Sequence, residues 1–344
     1  MRRLLAAAIL LGAAGGAGAV TQTNQDVIGK PYVELYTSGW AGLGRAETCN
    51  LRGNVVIIDL FNPNVPRYGY KFNRTVSKIR ADLIKFKDVG NLTYILCTSD
   101  LTMEQVQRLF RENGITFCTG IDPTSVNKRA YGVAKLEARN WVILDHEGKV
   151  VFNNRAPSGT HPTELDQAVR VAPGVFGLPL PPASIRNVHQ VIARGQFGAA
   201  QGLIAKARRT VVGRSEEGKA YLDKAEKGIK DFRAARIMEI ENLAAGDGKW
   251  KAYKLAESFL RTFGHSGADI HRAKKVMRSL QSKQPVKNEL AARNAFNITA
   301  RLVRSALDRE RADGMQALKF IVDNFDGTQG AARAKVLVDY GPQR

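Results

Sequence analysis

Cysteines and histidines are the side chains of this 344-residue chain whose chemistry would be easiest to recognise. There are three cysteines and five histidines. Cys49, Cys97 and Cys118 are odd in number, so they cannot all pair with one another, and their spacing matches no metal-ligand pattern. The two nearest histidines, His265 and His271, are six residues apart, which places them on different faces of a helix. We therefore predict no metal and no cofactor, and thiol chemistry is the candidate that remains.

Each thiol has two interpretations. Cys97 and Cys118 lie near the ends of two predicted neighbouring strands, where they could face each other and form a disulfide. We favour the alternative, in which both are small buried apolar side chains. Cys49 lies in a polar loop and is the best candidate for a reactive thiol. Because no histidine or second cysteine lies near Cys49 in sequence, we favour an incidental cysteine there too.

The elements that would position these residues alternate between strand and helix from Gly53 to Gln167. The runs at 55–61 and 92–97 are continuously apolar and of strand length, which is typical of buried parallel strands. Apolar residues then recur at helical spacing between them. The predicted strands cover 55–61, 92–97, 115–118, 141–144 and 149–152, and the predicted helices cover 76–86, 102–110 and 163–171. This order, with a turn at Asp145–Gly148, predicts an α/β sandwich with a mixed sheet.

The order of these segments is similar to that of a known fold family. Gly53–Phe61 (GNVVIIDLF) resembles the central strand of periplasmic thioredoxin-like and peroxiredoxin-like proteins, and Tyr94–Asp100 is similar to their second strand. Three later segments are similar to their back half: Phe117–Asp122, Ala130–Val133 and Trp141–Gly148. The resemblance covers about residues 28–172. It implies a thioredoxin-like sandwich, and in the redox-active thioredoxin-like members a Trp-Cys-x-x-Cys motif follows the central strand.

The redox motif of that family is missing from this chain. Aligned on the central strand, the two family cysteines fall at Val65 and Tyr68, within a degenerate site that also contains Asn64 and Pro66. The family chemistry needs an activated thiolate and a second thiol that resolves the mixed disulfide. The family also has a cis-proline opposite the motif, whereas no proline occurs between Thr124 and Ala156. The resemblance therefore implies the fold without the family reaction.

Asp59 matches a buried acid that assists the thiols in some thioredoxins. Without thiols, we expect Asp59 to be a satisfied or partly exposed polar group at the end of a strand.

A second, helical region is predicted after the proline-rich segment Leu178–Pro182, which we interpret as a stiff linker. One helix is expected over about 215–245, and another after Pro285 that reaches Leu307. A glycine-aromatic motif recurs loosely at 195–200, 248–253 and 314–318. It resembles a tetratricopeptide-type helical hairpin, and an ordinary irregular helical bundle fits the pattern equally well.

The N-terminus has the three parts of a secretory signal peptide. Arg2 and Arg3 precede the apolar run Leu4–Leu11, and Ala17–Ala19 supplies small residues before a cleavage site near Ala19. The alternative is an anchor helix, but the run is too short for a bilayer span of about 20 residues. We expect an exported protein, periplasmic or extracellular, with no transmembrane segment in the mature chain. The predicted organisation is a signal peptide at 1–19, a thioredoxin-like domain at 20–172, a linker at 173–182 and a basic helical domain at 183–344.

Charge points to an anionic partner. The formal net charge is +20, and from Ala183 onward 31 Lys and Arg stand against 17 Asp and Glu. In an exported protein such a surface suits acidic proteins or anionic components of the cell envelope, and nucleic acid is disfavoured. The candidate partner-binding residues are Arg272, Lys274, Lys275, Arg278, Arg301 and Arg304. The alternative is an ordinary solvated surface.

The predicted function is therefore a redox-inactive binding or scaffold protein of the cell envelope. The alternative is a divergent thiol-disulfide oxidoreductase or peroxidase that uses Cys49, or the Cys97 and Cys118 pair. The sequence does not indicate an oligomeric state.

Overall fold

The structure is a computed structural model. It describes residues 27–32, 35–41, 46, 50–61, 69–86, 89–99, 103–113, 118–122, 126–133, 139–157, 160–264, 267–303, 305 and 307–340. The predicted signal peptide, Cys49, the degenerate site and Arg304 lie outside the described residues.

A six-stranded mixed sheet forms the centre of the first region. Its strands are β1 (Gly39–Ala41), β2 (Val55–Phe61), β3 (Leu92–Ser99), β4 (Thr119–Asp122), β5 (Asn140–Leu144) and β6 (Val150–Arg155). Their spatial order is β1-β4-β3-β2-β5-β6. β2 pairs in parallel with β3, as β3 does with β4, whereas β1, β5 and β6 run antiparallel to their neighbours. All seven residues of β2 are buried, as its continuous apolar run predicts.

Helices connect the successive strands from β2 to β5, and a further helix follows the last strand of this region. They are α1 (Gly69–Phe86), α2 (Met103–Asn113), the short α3 (Val126–Ala130) and α4 (Thr163–Val171). Successive residues of β2 serve opposite faces of the sheet: Ile58 packs in a core with Val142, and Ile57 packs in a second core with Phe86 and Leu165. The second core lies under α1 and α4. This confirms the predicted thioredoxin-like sandwich with a mixed sheet.

Three details differ from the sequence expectations. Of the strand expected over 115–118 the structure describes only Cys118, which directly precedes the strand Thr119–Asp122. The short edge strand β1 has no clear signal, because a three-residue strand shows too little periodicity. The helix expected to reach Leu307 ends at Leu302, and Leu307 is the N-cap of the next helix.

The rest of the described chain is helical. Its helices are α5 (Arg186–Ala193), α6 (Phe197–Ala207), α7 (Val211–Arg214), α8 (Glu216–Ala245), α9 (Lys249–Phe263), α10 (Ala268–Gln281), α11 (Gln284–Leu302), α12 (Asp308–Asn324) and α13 (Gln329–Tyr340). The 30-residue α8 confirms the long helix expected over 215–245. The first two glycine-aromatic motifs precede or open α6 and α9, but the third falls inside α12. The tetratricopeptide-type interpretation stays a prediction.

The described residues group into two compact units. One contains those of Thr23–Ile240 and Leu255–Lys274, and the other those of Glu241–Lys254 and Lys275–Arg344. The first unit therefore includes the whole sheet together with α5 to α7 and part of the later helices. The domain division predicted at 173–182 stays a prediction.

Within the first unit, the predicted linker 173–182 is packed against the sheet region through Val175 and Leu178, both of which are buried. Asn54, directly before β2, accepts a hydrogen bond from the Val175 amide at 2.9 Å and donates to Thr93 Oγ1 at 2.9 Å. Thr93 Oγ1 in turn donates to the Ala193 carbonyl at the end of α5. These buried side-chain hydrogen bonds fix the segment and α5 against the start of β2 and β3.

His189 of α5 makes a second buried contact between the helices and the sheet region. It is 6% exposed, and its Nε2 lies 2.6 Å from the Gly90 carbonyl, which can only accept. Nε2 therefore carries the proton, and Nδ1 accepts from the Tyr221 hydroxyl at 3.0 Å. Burial lowers the pKa of His189, and the charge of the neighbouring Arg186 lowers it further. The hydrogen bond to Gly90 raises this pKa, but the net shift is downward. The structure thus stabilises the neutral ring.

We predict that this histidine makes stability fall in mild acid. A histidine whose pKa is lower in the folded state stabilises above its unfolded value, about 6.5, and loses that contribution as pH falls. Urea unfolding of His189→Gln, which keeps a donor and an acceptor but does not titrate, should show a smaller loss between about pH 7 and pH 5 than the parent. His271→Gln, at an exposed histidine of α10, serves as the matched control. An unchanged pH dependence in His189→Gln would contradict the assignment.

Candidate functional site

Asp59, the acid that sequence analysis singles out, lies at the centre of a closed polar cluster. Its side chain is fully buried on β2, on the face covered by α1 and α4. The Arg139 guanidinium donates to it from Nε at 2.8 Å and from Nη2 at 2.5 Å. The Tyr94 hydroxyl of β3 also donates to the carboxylate. Arg139 Nη2 reaches further to Asp82 of α1 at 2.6 Å and to the Tyr94 oxygen at 2.7 Å.

Strand register explains why these residues meet. Asp59 is opposite Trp141 in the antiparallel β2–β5 pair, and Arg139 lies two residues before Trp141. Asp59 is opposite Leu96 in the parallel β2–β3 pair, with Tyr94 two residues earlier on the same face. Of the two alternatives that the sequence left open for Asp59, the structure has the first: it is a hydrogen-bonded, buried polar group and is not partly exposed.

Electrostatics fix the protonation states of Arg139 and Tyr94 in this cluster. Burial, the largest single influence, would lower the pKa of Arg139, but the Asp59 charge and the hydrogen bonds to Asp59 and Asp82 contribute to raising that pKa above its ordinary value. Burial and the Asp59 charge together raise the pKa of Tyr94 well above its ordinary value, so the phenol stays a neutral donor. Burial raises the pKa of Asp82, whereas its hydrogen bond to Arg139 lowers it. Arg139 therefore stays a cation and Tyr94 a neutral donor at neutral pH.

Aromatic rings close the cluster from the side. The Arg139 guanidinium carbon lies over the Trp141 ring, 5.6 Å from its centroid. The His161 ring stacks on the Trp141 ring, with 5.7 Å between the two centroids. Phe86 meets the His161 ring edge-on at 4.8 Å. Trp141 itself is fully buried. The described part of this cluster therefore resembles a packed core more than an open acid–base site.

The two cysteines within the described residues are both buried. Cys97 and Cys118 are each 3% exposed and form no disulfide. The β3–β4 register pairs Cys97 with Gly120, so Cys118 is diagonal to Cys97 instead of directly opposite. Asn127 Nδ2 approaches the Cys97 sulfur at 3.3 Å. Burial, reinforced by the Asp122 charge, raises the pKa of Cys97 well above its ordinary value. A buried thiol with a raised pKa is a poor nucleophile.

The candidate cations of the helical region are less concentrated than the sequence list suggests. Arg272 lies 3.4 Å from Asp269, with which it forms an exposed ion pair, and Lys274 is half-buried. Lys275 and Arg278 are exposed on α10, and Arg301 is exposed on α11. Nothing in the sequence singled out Arg139 or Tyr94. An acid buried in a strand does, however, require a cation nearby, and Arg139 directly precedes the strand expected to pair with it.

The described residues offer neither a metal cluster nor a membrane-spanning helix. They contain no group of three or more His, Cys, Asp or Glu side chains arranged to hold a metal ion. Among them, no helix combines the length and the apolar character that crossing a bilayer requires.

Comparison with known proteins finds likeness in solved structures alone. No protein-family model matches the chain. No curated protein matches it either. A thioredoxin-like protein in its oxidised form is 15% identical, with a TM-score of 0.32, over 41% of this chain and 92% of its own. The thioredoxin domain of a thiol-disulfide oxidoreductase from Bacteroides vulgatus is 13% identical, with a TM-score of 0.27, over 39% of this chain and 94% of its own. A secreted thiol-disulfide isomerase from Corynebacterium glutamicum is 13% identical, with a TM-score of 0.30, over 36% of this chain and 74% of its own. The strand order and pairing described above define the fold class of this region.

Proposed function

We propose that this chain is an exported, redox-inactive thioredoxin-like protein that acts as a binding or scaffold protein in the cell envelope. In this proposal the sandwich is a packed platform, and the basic helical region binds the partner. The observation that carries the proposal is the closed state of the cluster around Asp59. Its acid is neutralised by Arg139, and Val65 and Tyr68 stand where the family has its two cysteines.

The thiols also support this proposal over an oxidoreductase. Cys97 and Cys118 are buried in the sheet core, where a substrate disulfide would have to displace packed side chains to reach them. Export rests on the signal-like N-terminus, and the binding role rests on the net charge of +20. Protein sequencing of the mature N-terminus should give a chain that starts near Val20, after loss of the first 19 residues.

The redox part of the proposal is tested by turnover. With dithiothreitol as reductant, the protein should reduce insulin disulfides no faster than dithiothreitol alone, and it should not consume peroxide. Single Cys49→Ser, Cys97→Ser and Cys118→Ser variants are the matched controls. Turnover in the parent that one of these substitutions abolishes would overturn the proposal in favour of a divergent oxidoreductase or peroxidase.

A thiol titration supplies an independent check on the same point. In the Cys49→Ser variant, Cys97 and Cys118 should react with a thiol reagent only slowly in buffer and fully in urea, because both are buried. Fast reaction of either thiol in buffer would show that the sandwich exposes it.

A further inference from the structure

The segment between Lys275 and Leu307 has an unusual charge distribution. It contains seven Lys and Arg residues and a single acid, Glu289. The next helix, α12, is balanced by comparison, with three basic and four acidic residues. With a net charge of +6, this segment carries a large share of the +14 that follows Ala183, and residues 183–215, with six Lys and Arg and no acid, carry another share of the same size.

The single acid of the segment does not reach the surface. Glu289 is 9% exposed on α11, and its two carboxylate oxygens accept a hydrogen bond from the backbone N–H of Gln329 at 3.0 and 3.2 Å. Gln329 is the first residue of α13, so the carboxylate caps a helix N-terminus, where negative charge is favourable. Glu289 is therefore engaged inside the unit, and the exposed side chains of the segment include no carboxylate.

The outward face of α11 combines cations with one large apolar side chain. Lys287, Ala291, Asn294, Ile298 and Arg301 are all exposed. Their spacing of four and three residues places them along one face of the helix, and we call them the cationic stripe. The opposite side is buried and consists of Val286, Glu289, Ala292, Phe296, Thr299 and Ala300. Ile298 is 66% exposed in the middle of the stripe.

We propose that the cationic stripe docks an acidic protein segment that brings an apolar side chain onto Ile298. This inference rests on the proposed function, since it names the surface and the partner chemistry of the basic helical region. Charge complementarity favours an acidic occupant, because the stripe and its segment offer only cations and neutral groups to it. An apolar contact surrounded by polar groups is the common anatomy of a protein interface.

A membrane surface is the weaker candidate for the same stripe. Helices that lie in a bilayer interface bury a broad apolar face, and their binding scales with that apolar area. The exposed face of α11 has one large apolar residue, and the mainly apolar face of the helix is already packed inside the unit. Ile298 between Lys287 and Arg301 suits a single complementary side chain better than a lipid layer.

Binding of a defined probe tests the proposal. The probe is a fluorescein-labelled peptide of about 16 residues, rich in Glu and Asp, with a central Leu pair, and fluorescence anisotropy is measured with the full mature chain. We expect binding that weakens steeply from low to physiological salt. The double substitution Lys287→Gln/Arg301→Gln should weaken peptide binding about tenfold. Ile298→Ser should also weaken peptide binding, but the dependence of affinity on salt concentration should stay as in the parent. A peptide with Gln at the acidic positions should not bind.

The matched control removes the same charge from the neighbouring helix. Arg309→Gln/Lys319→Gln lowers the net charge equally, on the balanced helix α12. It should change peptide affinity by less than about twofold. Equal loss in the two double variants would overturn the proposal, because it would show a response to total charge alone. Binding to vesicles of anionic phospholipid without binding to the peptide would also overturn it.

Failure here is distinguishable from failure of the proposed function. If no insulin turnover is found and substitutions in the cationic stripe leave peptide binding unchanged, the docking proposal is wrong while the redox-inactive assignment stands. If thiol-dependent turnover is found, the proposed function fails whatever the stripe binds.

Discussion

Replacing Arg139 with methionine should lower the free energy of unfolding by about 3–5 kcal/mol, a loss typical of a buried ion pair that is deprived of one partner. The cause is Asp59, whose side chain is fully buried and would keep only the Tyr94 hydroxyl as a partner. Asp82 would lose the same guanidinium. The measurement is urea unfolding followed by circular dichroism at neutral pH, provided that the variant unfolds in one transition.

Two further variants identify the origin of this loss. Asp59→Asn/Arg139→Met removes both charges, so its destabilisation should be clearly smaller than the sum of the two single substitutions. Arg208→Met is the matched control, because Arg208 also pairs with two acids, Asp223 and Glu226, but in solvent. Exposed pairs are worth about 0–1 kcal/mol, so this variant should stay near the parent. Equal losses in Arg139→Met and Arg208→Met would contradict a buried, stabilising cluster.

This cluster bears directly on the proposed function. A carboxylate that assists thiol chemistry must take up and release protons near the reacting sulfur. Asp59 is instead fixed by two guanidinium nitrogens and a phenol whose pKa is raised well above its ordinary value. In the proposed function, the fold is retained while Asp59 serves the stability of the sandwich. Retention of fold without chemistry is the expected pattern when function depends on grafted residues.

The fold was predictable from sequence because its signals are local and repeated. β2 and β3 are continuous apolar runs, and α4 spans the same Thr163–Val171 that its pattern predicts. The long α8 is likewise visible from its helical periodicity. Such patterns encode burial, and burial determines the layers of an α/β sandwich. Boundaries without a strong pattern, such as the start of β4, were the points at which prediction failed.

The partners of the candidate site could not be predicted, because they depend on register and on distant packing. Asp59 and Arg139 are 80 residues apart, and Asp59 and Tyr94 are 35 apart. Only the pairing of β2 with both β3 and β5 brings them to one point. The same holds for Asn54 and Val175, whose hydrogen bond spans 121 residues and turns a proline-rich segment into a packed element. A linker composition indicates stiffness, but it does not reveal whether the chain is packed.

The second large effect is expected at the crossing of two helices in the first unit. Gly198 of α6 lies against the backbone of Thr262 in α9, so a Cβ at position 198 would overlap the Thr262 carbonyl oxygen. Asn50 also donates to Thr262 Oγ1 and to the Gly195 carbonyl, each at 3.2 Å, which holds both helices at this point. Because a backbone atom cannot rotate away, Gly198→Ala should force the helices apart. We expect a loss of about 3 kcal/mol, at the upper end for overpacking.

Gly202 of the same helix provides the matched control, since the chemical change is identical and only the surroundings differ. It is exposed, and a Cβ there would meet no atom within 4 Å. Helix propensity alone favours alanine over glycine, so Gly202→Ala should raise the free energy of unfolding by about 0.5–1 kcal/mol. Opposite signs in urea unfolding of the two variants would establish close packing of α6 on α9. A gain in both variants would mean that the helices do not cross at Gly198, and that Gly198, within the 195–200 motif, has no packing role.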